Sequence, residues 1–110
     1  MLWNESRKRL AGMDKFLQML GIANRAGAVV SGSLSCEKTL KHGRAKLLIL
    51  ADDAADEVTE GLTHLAVRME VRVLRYKSKN SLGVAIGKSH RAAIIVTDEG
   101  LAKRLYELSL

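Results

Sequence analysis

Lys46 is followed by Leu47-Leu48-Ile49-Leu50-Ala51, a run without a single polar side chain. It is too short for an independent buried helix, and it lacks the alternation of a strand with one wet face. A run of this kind is the pattern of a strand covered on both faces. A second one, Ala92 to Val96, carries Ile94 and Ile95 near the other end of the chain. Each strand of this type needs a layer of helices on either side. The remaining segments supply them. Asp14 is placed to cap a helix over roughly 14–24, with Phe16, Leu17 and Leu20 on one face. Asn24-Arg25-Ala26-Gly27 reads as its C-terminal turn, and Ala28-Val29-Val30 as a short strand. Ser31-Gly32-Ser33 opens a second helix that ends near His42-Gly43. Asp52-Asp53 reads as the entry and cap of a third helix over roughly 54–69, on which Val58, Leu62, Leu65, Ala66 and Met69 recur at helical spacing. Val71 to Leu74 is the next strand. Ser78 caps a short helix closed by Gly87, and Thr97-Asp98 caps a last helix bearing Leu101, Leu105 and Leu108. Helices alternating with short apolar strands predict an α/β domain around a parallel or mixed sheet.

The chain has 110 residues, enough for one domain with one core. Residues 1–12 read as a polar N-terminal extension and residues 13–110 as the folded domain. Hydrophobic residues make up 47% of the chain, which excludes a disordered polyelectrolyte. The single cysteine, Cys36, allows no internal disulfide and suits a reducing compartment. Residues 1–12 contain basic side chains with no apolar stretch behind them, so they do not read as a signal peptide. No apolar run approaches a membrane span. The expectation is a cytoplasmic monomer with no membrane contact.

Charge is segregated. The formal net charge is +6, yet residues 51–110 carry nine basic and nine acidic side chains and cancel. The excess lies in residues 1–50, with nine basic against three acidic. Within the neutral half, Arg75, Lys77, Lys79, Lys88 and Arg91 follow one another with no acid between them, opposite an acidic block of Asp52, Asp53, Asp56, Glu57 and Glu60. A positive surface on a compact body attracts phosphate backbones. Two segments concentrate the chemistry. The first is the start of the second helix, Gly32-Ser33-Leu34-Ser35 with Lys38 and Lys41. There, free N–H groups and the positive end of the helix dipole suit an anion, and the two lysines project on one side. An ordinary capped helix with a solvated basic face is the plain alternative. The second is Gly87-Lys88-Ser89-His90-Arg91, a surface loop with a flexible tip, leading into the last strand. Its basic residues suit phosphates and its tip suits a base.

Other chemistries fit less well. Gly83 to Ser89 resembles a phosphate-binding loop but is one residue short, and it precedes a strand where that motif must open a helix. Asp52 and Asp53 could hold magnesium for a metal-dependent hydrolase, the enzymatic alternative. As caps for the third helix they need no metal. His42, His64 and His90 show no ligand spacing with one another or with Cys36. Cys36 falls on the inner face of its helix, without an acid–base partner nearby in sequence. Neither a catalytic residue nor a metal ligand nor a cofactor is assigned. Trp3, Phe16, Tyr76 and Tyr106 are too few for a stacking sheet. Tyr76 is placed either to reach RNA or to pack over a sheet edge.

The order of the segments adds a resemblance. Leu17 to Gly27 (LQMLGIANRAG), Val30 to Gly43 (VSGSLSCEKTLKHG), Lys46 to Asp53 (KLLILADD), Leu82 to Lys88 (LGVAIGK) and Val96 to Gly100 (VTDEG) together resemble the kink-turn RNA-binding ribosomal proteins of the L-seven-Ae superfamily, in particular its bacterial YlxQ-like branch. The likeness covers nearly all of residues 13–108. It implies a three-layer α/β/α sandwich with a small mixed four-stranded sheet. It also implies a non-enzymatic, ribosomal-protein-like or ribosome-associated role, binding a kink-turn, a sharp bend built on tandem sheared G·A pairs. Such proteins insert the start of the second helix into the widened groove at the kink, and a loop before the last strand covers an extruded base. Carried over by motif, the helix site is Gly32, Ser33, Leu34, Ser35 and Lys38, flanked by Arg25 and Lys41. The loop site is Gly87, Lys88, Ser89, His90 and Arg91. Where the archaeal motif reads Asn-Glu-x-x-Lys, this chain has Leu34-Ser35-x-x-Lys38. The alternative within the same fold is a protein-interaction module with Leu34 in an apolar patch.

Overall fold

The computed structural model describes residues 14–110; the extension expected over residues 1–12, and Met13, lie outside the described residues. The chain runs α1 (Lys15–Arg25), β1 (Val29–Ser31), α2 (Ser33–Lys41), β2 (Leu47–Leu50), α3 (Asp56–Arg68), β3 (Val73–Arg75), α4 (Lys79–Ala85), β4 (Ala93–Val96) and α5 (Glu99–Leu108). The sheet order is β1-β4-β2-β3. β4 is antiparallel to both of its neighbours, and β2 and β3 run parallel.

The two apolar runs take the two central positions, and every residue of β2 and β4 is buried. Their side chains alternate between two cores, as the pleat requires. Leu47, Ile49, Ile94 and Val96 meet Phe16 and Leu20 of α1, Leu82 of α4, and Ala102 and Leu105 of α5. Leu48, Leu50, Ala93 and Ile95 meet Cys36 and Leu40 of α2 and Leu62 and Ala66 of α3. The result is the expected sandwich: α1, α4 and α5 on one face, α2 and α3 on the other. The edge strands β1 and β3 are only half-covered, which explains their weaker apolar signal.

Three of the expected caps form. Asp14 accepts from the Leu17 N–H at 2.9 Å, Ser78 from the Ser81 N–H at 3.1 Å, and Asp98 from the Leu101 N–H at 2.8 Å. The fourth does not. The residue before α3 is Ala55, with no side-chain cap, and only Asp56 and Glu57 sit in the first turn to complement the dipole. Asp52 and Asp53 belong to a loop turned the other way. The Asp52 N–H donates to the Lys77 carbonyl at 2.7 Å, Arg75 Nη2 donates to the Asp52 carbonyl at 3.3 Å, and Asp53 Oδ1 accepts from the Lys79 N–H at 2.8 Å.

Register places the candidate segments. Ser31 at the end of β1 pairs with Ile94, while Leu50 at the end of β2 faces Ala93 and Arg75 of β3. The turn into α2, the loop after β2, the loop after β3 and the 87–91 loop that feeds β4 therefore gather at one end of the sheet.

Candidate functional site

The tip of α2 starts from Gly32, which has φ +96° and ψ 143°. Residues with a Cβ rarely adopt that conformation. A Cβ there would meet nothing within 4 Å, so conformation, and not crowding, demands glycine. The Gly32 N–H closes onto the Ala93 carbonyl at 3.0 Å and its carbonyl accepts from the Cys36 N–H at 2.9 Å. No side chain caps the helix. The first-turn N–H groups of Ser33, Leu34 and Ser35 thus carry the positive end of the dipole without an internal acceptor from a cap. All three residues are exposed, Leu34 at 66%.

Lys38 is exposed and makes no ion pair among the described residues. Lys41 behaves differently from the sequence expectation. It lies in the last turn of α2, about 12 Å along the axis from Ser33, and its Nζ is 3.0 Å from Glu37 Oε1. Lys38 shares that last turn, and Glu37, one turn before Lys41, engages Lys41 alone among the described residues.

The 87–91 loop comes off α4 through Gly87 at φ +72°. Where the sequence suggests a flexible tip, the structure shows a loop held at two points. The Lys88 N–H returns to the Gly83 carbonyl at 2.8 Å. The Ser89 carbonyl lies directly over Gly83, where a Cβ would come within 1.4 Å of its oxygen. At the other point, the Arg91 N–H donates to the Lys79 carbonyl at 3.1 Å, Arg91 Nε donates to Ser31 Oγ at 3.2 Å and Nη1 to the His90 carbonyl at 2.7 Å. The side chains of Lys88, Ser89 and His90 stay exposed. The loop and the α2 tip are thus adjoining surfaces, joined by Arg91–Ser31 and Gly32–Ala93.

Arg25 is the last residue of α1. Asn24 Nδ2 donates to the Ile86 carbonyl at 3.2 Å, and Gly21 lies against the Ala85 carbonyl so closely that a Cβ would stand 3.0 Å from it. These contacts lay the end of α1 beside the start of the loop, with Arg25 exposed. Asn24, Gly83 and Ser31 are residues that sequence reasoning missed. Gly83 had a usable signal, since a glycine inside a helical pattern marks a close backbone approach.

The other candidates turn inward. Tyr76 packs edge-on against Phe16, with ring centroids 4.9 Å apart at 88°; this settles it on the sheet edge. Arg75 holds the 52–54 loop, and Lys77 pairs with Asp14. Burial works against ionisation of Asp14, but the Lys77 hydrogen bond and charge, with the Leu17 N–H, outweigh it and leave the carboxyl below its ordinary value. The Asp14 hydrogen bond likewise raises Lys77. Cys36 is fully buried, its Sγ donates to the Val30 carbonyl at 3.7 Å, and burial pushes the thiol up to about 12. A thiol so placed is inert. Among the described residues no three His, Cys, Asp or Glu side chains gather where they could hold a metal. No helix there is long and apolar enough to cross a membrane.

Residues 14–106 match the model of the ribosomal protein L7Ae/L30e/S12e/Gadd45 family. The chain is 37% identical over 99 residues to the RNA-binding protein YlxQ of Bacillus subtilis, covering 90% of this chain and 98% of that one. It is 29% identical to the large ribosomal subunit protein eL8 of Thermoplasma volcanium, over 86% and 78% of the two chains. A solved structure of a protein of unknown function from Bacillus halodurans C superposes with a TM-score of 0.85 at 31% identity, covering 87% of this chain and 97% of the other. The Giardia lamblia 15.5kD RNA binding protein shares the fold, with a TM-score of 0.71 at 22% identity over 89% and 88%. By sequence match along almost the whole described fold, this chain belongs to the ribosomal protein L7Ae/L30e/S12e/Gadd45 family.

Proposed function

We propose that this protein is a non-enzymatic RNA-binding module that holds a sharply bent, kink-turn-like RNA in its folded form. One observation carries the reading: a glycine-started, uncapped helix tip adjoins a cationic loop at one end of the sheet. The names of relatives support it, among them an RNA-binding protein and large-subunit ribosomal proteins. The α2 tip enters the widened groove with the backbone N–H groups of Ser33, Leu34 and Ser35 as donors to phosphate. Lys38 and Lys88 neutralise phosphates crowded by the bend, Arg25 flanks them, and Ser89 and His90 cover a displaced base.

The residues at the tip set the style of recognition. Leu34 offers only packing, and Ser35 is a short neutral hydroxyl in place of an acid that accepts from guanine edges. Affinity therefore leans on backbone and shape more than on base edges. The bend is favoured because the protein binds the folded RNA better than the open one. The protein acts as a monomer, in the cytoplasm, on structured RNA such as ribosomal RNA. A kink-turn RNA labelled at both ends tests the reading in a magnesium-free buffer. Its ends should approach on adding protein, read by energy transfer; an unchanged end-to-end distance at saturating protein would defeat the proposal.

A further inference from the structure

We propose that Arg91 is a brace and not a phosphate ligand: through Ser31 it locks the 87–91 loop to the tip of α2, so that the two halves of the interface form one preset surface. The consequence for RNA rests on the functional reading above; the brace itself is a property of the free protein.

The geometry of Arg91 sets it apart from its neighbours. Lys88, Ser89 and His90 are exposed, whereas Arg91 is half-buried. Two of its five N–H donors are held within the protein, Nε by the Ser31 hydroxyl at 3.2 Å and Nη1 by the His90 carbonyl at 2.7 Å. Ser31 is the last residue of β1 and immediately precedes Gly32. Arg91 therefore holds the side chain of the residue two before α2 begins. The rigid fork of a guanidinium can serve two acceptors at once; a lysine ammonium at that position is a point charge on a flexible stem and cannot reproduce the pair. With Ser89 seated over Gly83 and Arg91 tied to Ser31, the loop is fixed at both ends while its middle side chains face outward. A surface fixed before binding pays less ordering entropy on association.

The test has two arms. In RNA-free protein, amide hydrogen exchange is followed at residue 91 and at Gly32, whose N–H groups bond to the Lys79 and Ala93 carbonyls across the junction. Arg91→Lys and Ser31→Ala should each speed exchange at these amides by about tenfold, as loss of a hydrogen bond to a charged group implies. The double variant should go no further than the larger single effect. In the second arm, each variant should weaken binding of a kink-turn RNA by about five- to tenfold while keeping the wild-type salt slope, whereas Lys88→Ala should lower that slope by about one. Wild-type exchange and affinity in Arg91→Lys, additive effects of the two substitutions, or an Arg91→Ala salt slope lowered by about one would each overturn the brace. If an Arg91 variant does not fold, Ser31→Ala alone decides: wild-type exchange refutes the proposal and faster exchange supports it. If wild-type protein fails to bind the RNA, the functional reading falls while the exchange arm still decides the brace.

Discussion

Lys38 and Lys103 are both exposed lysines on amphipathic helices, and only their place in the fold separates them. Lys38 stands about one and a half turns behind the uncapped start of α2, while Lys103 lies on α5, which packs on the opposite face of the sheet. Lys38→Glu should weaken RNA binding by about tenfold or more and Lys103→Glu by no more than about twofold, because only the former sets a repulsive charge beside the phosphates. Equal losses in calorimetric titrations would remove the helix tip from the interface. A second residue-scale prediction concerns Asp14. Its carboxyl is held below the ordinary value of 3.8 in the folded state. The stability it adds is therefore present above about pH 4 and is lost as pH falls through the lowered folded value. The difference in melting temperature between wild type and Asp14→Asn should shrink on acidification from pH 6 towards pH 2; a gap that widens would contradict the Lys77 pairing.

Glycines give the sharpest contrast among the elements. Gly61 lies in α3 with open space where a Cβ would go, whereas Gly83 in α4 is covered by the Ser89 carbonyl. Gly61→Ala should stabilise the protein by about 0.5–1 kcal/mol through helix propensity. Gly83→Ala should destabilise it by about 1–3 kcal/mol, the cost of overpacking, and displace the loop. Denaturant melts separate the two, and a neutral Gly83→Ala would mean that the loop is not seated there. Element identity was legible in the sequence for a physical reason. β2 and β4 are central and buried on both faces, so their composition is unbroken Leu, Ile, Val and Ala. Asp14, Ser78 and Asp98 cap within their own first turns, a local interaction that sequence order displays. The Lys41–Glu37 pair is likewise readable from the four-residue spacing on one helix. The role of Asp53 is not legible in the sequence, because its partner, the Lys79 N–H, is 26 residues away along the chain. Arg91 could be named as part of the site, but its bond to Ser31 spans two strands that only the sheet order brings together.

For the whole molecule, antiparallel pairing of β4 with β1 and β2 makes the end of β1 and the start of β4 neighbours, and this brings the helix tip and the loop to one place. Phosphates neutralised there release counterions, so affinity should fall steeply with salt. On the proposed function, this end of the sheet is shaped for a bent polyanion and not merely charged for any polyanion. A titration of wild-type protein with a kink-turn RNA and with a straight duplex of equal length, each at two salt concentrations, tests it directly. Binding of the bent RNA should be at least about tenfold tighter at both salts, with both affinities falling as salt rises. Equal affinity for the two RNAs at either salt would contradict it.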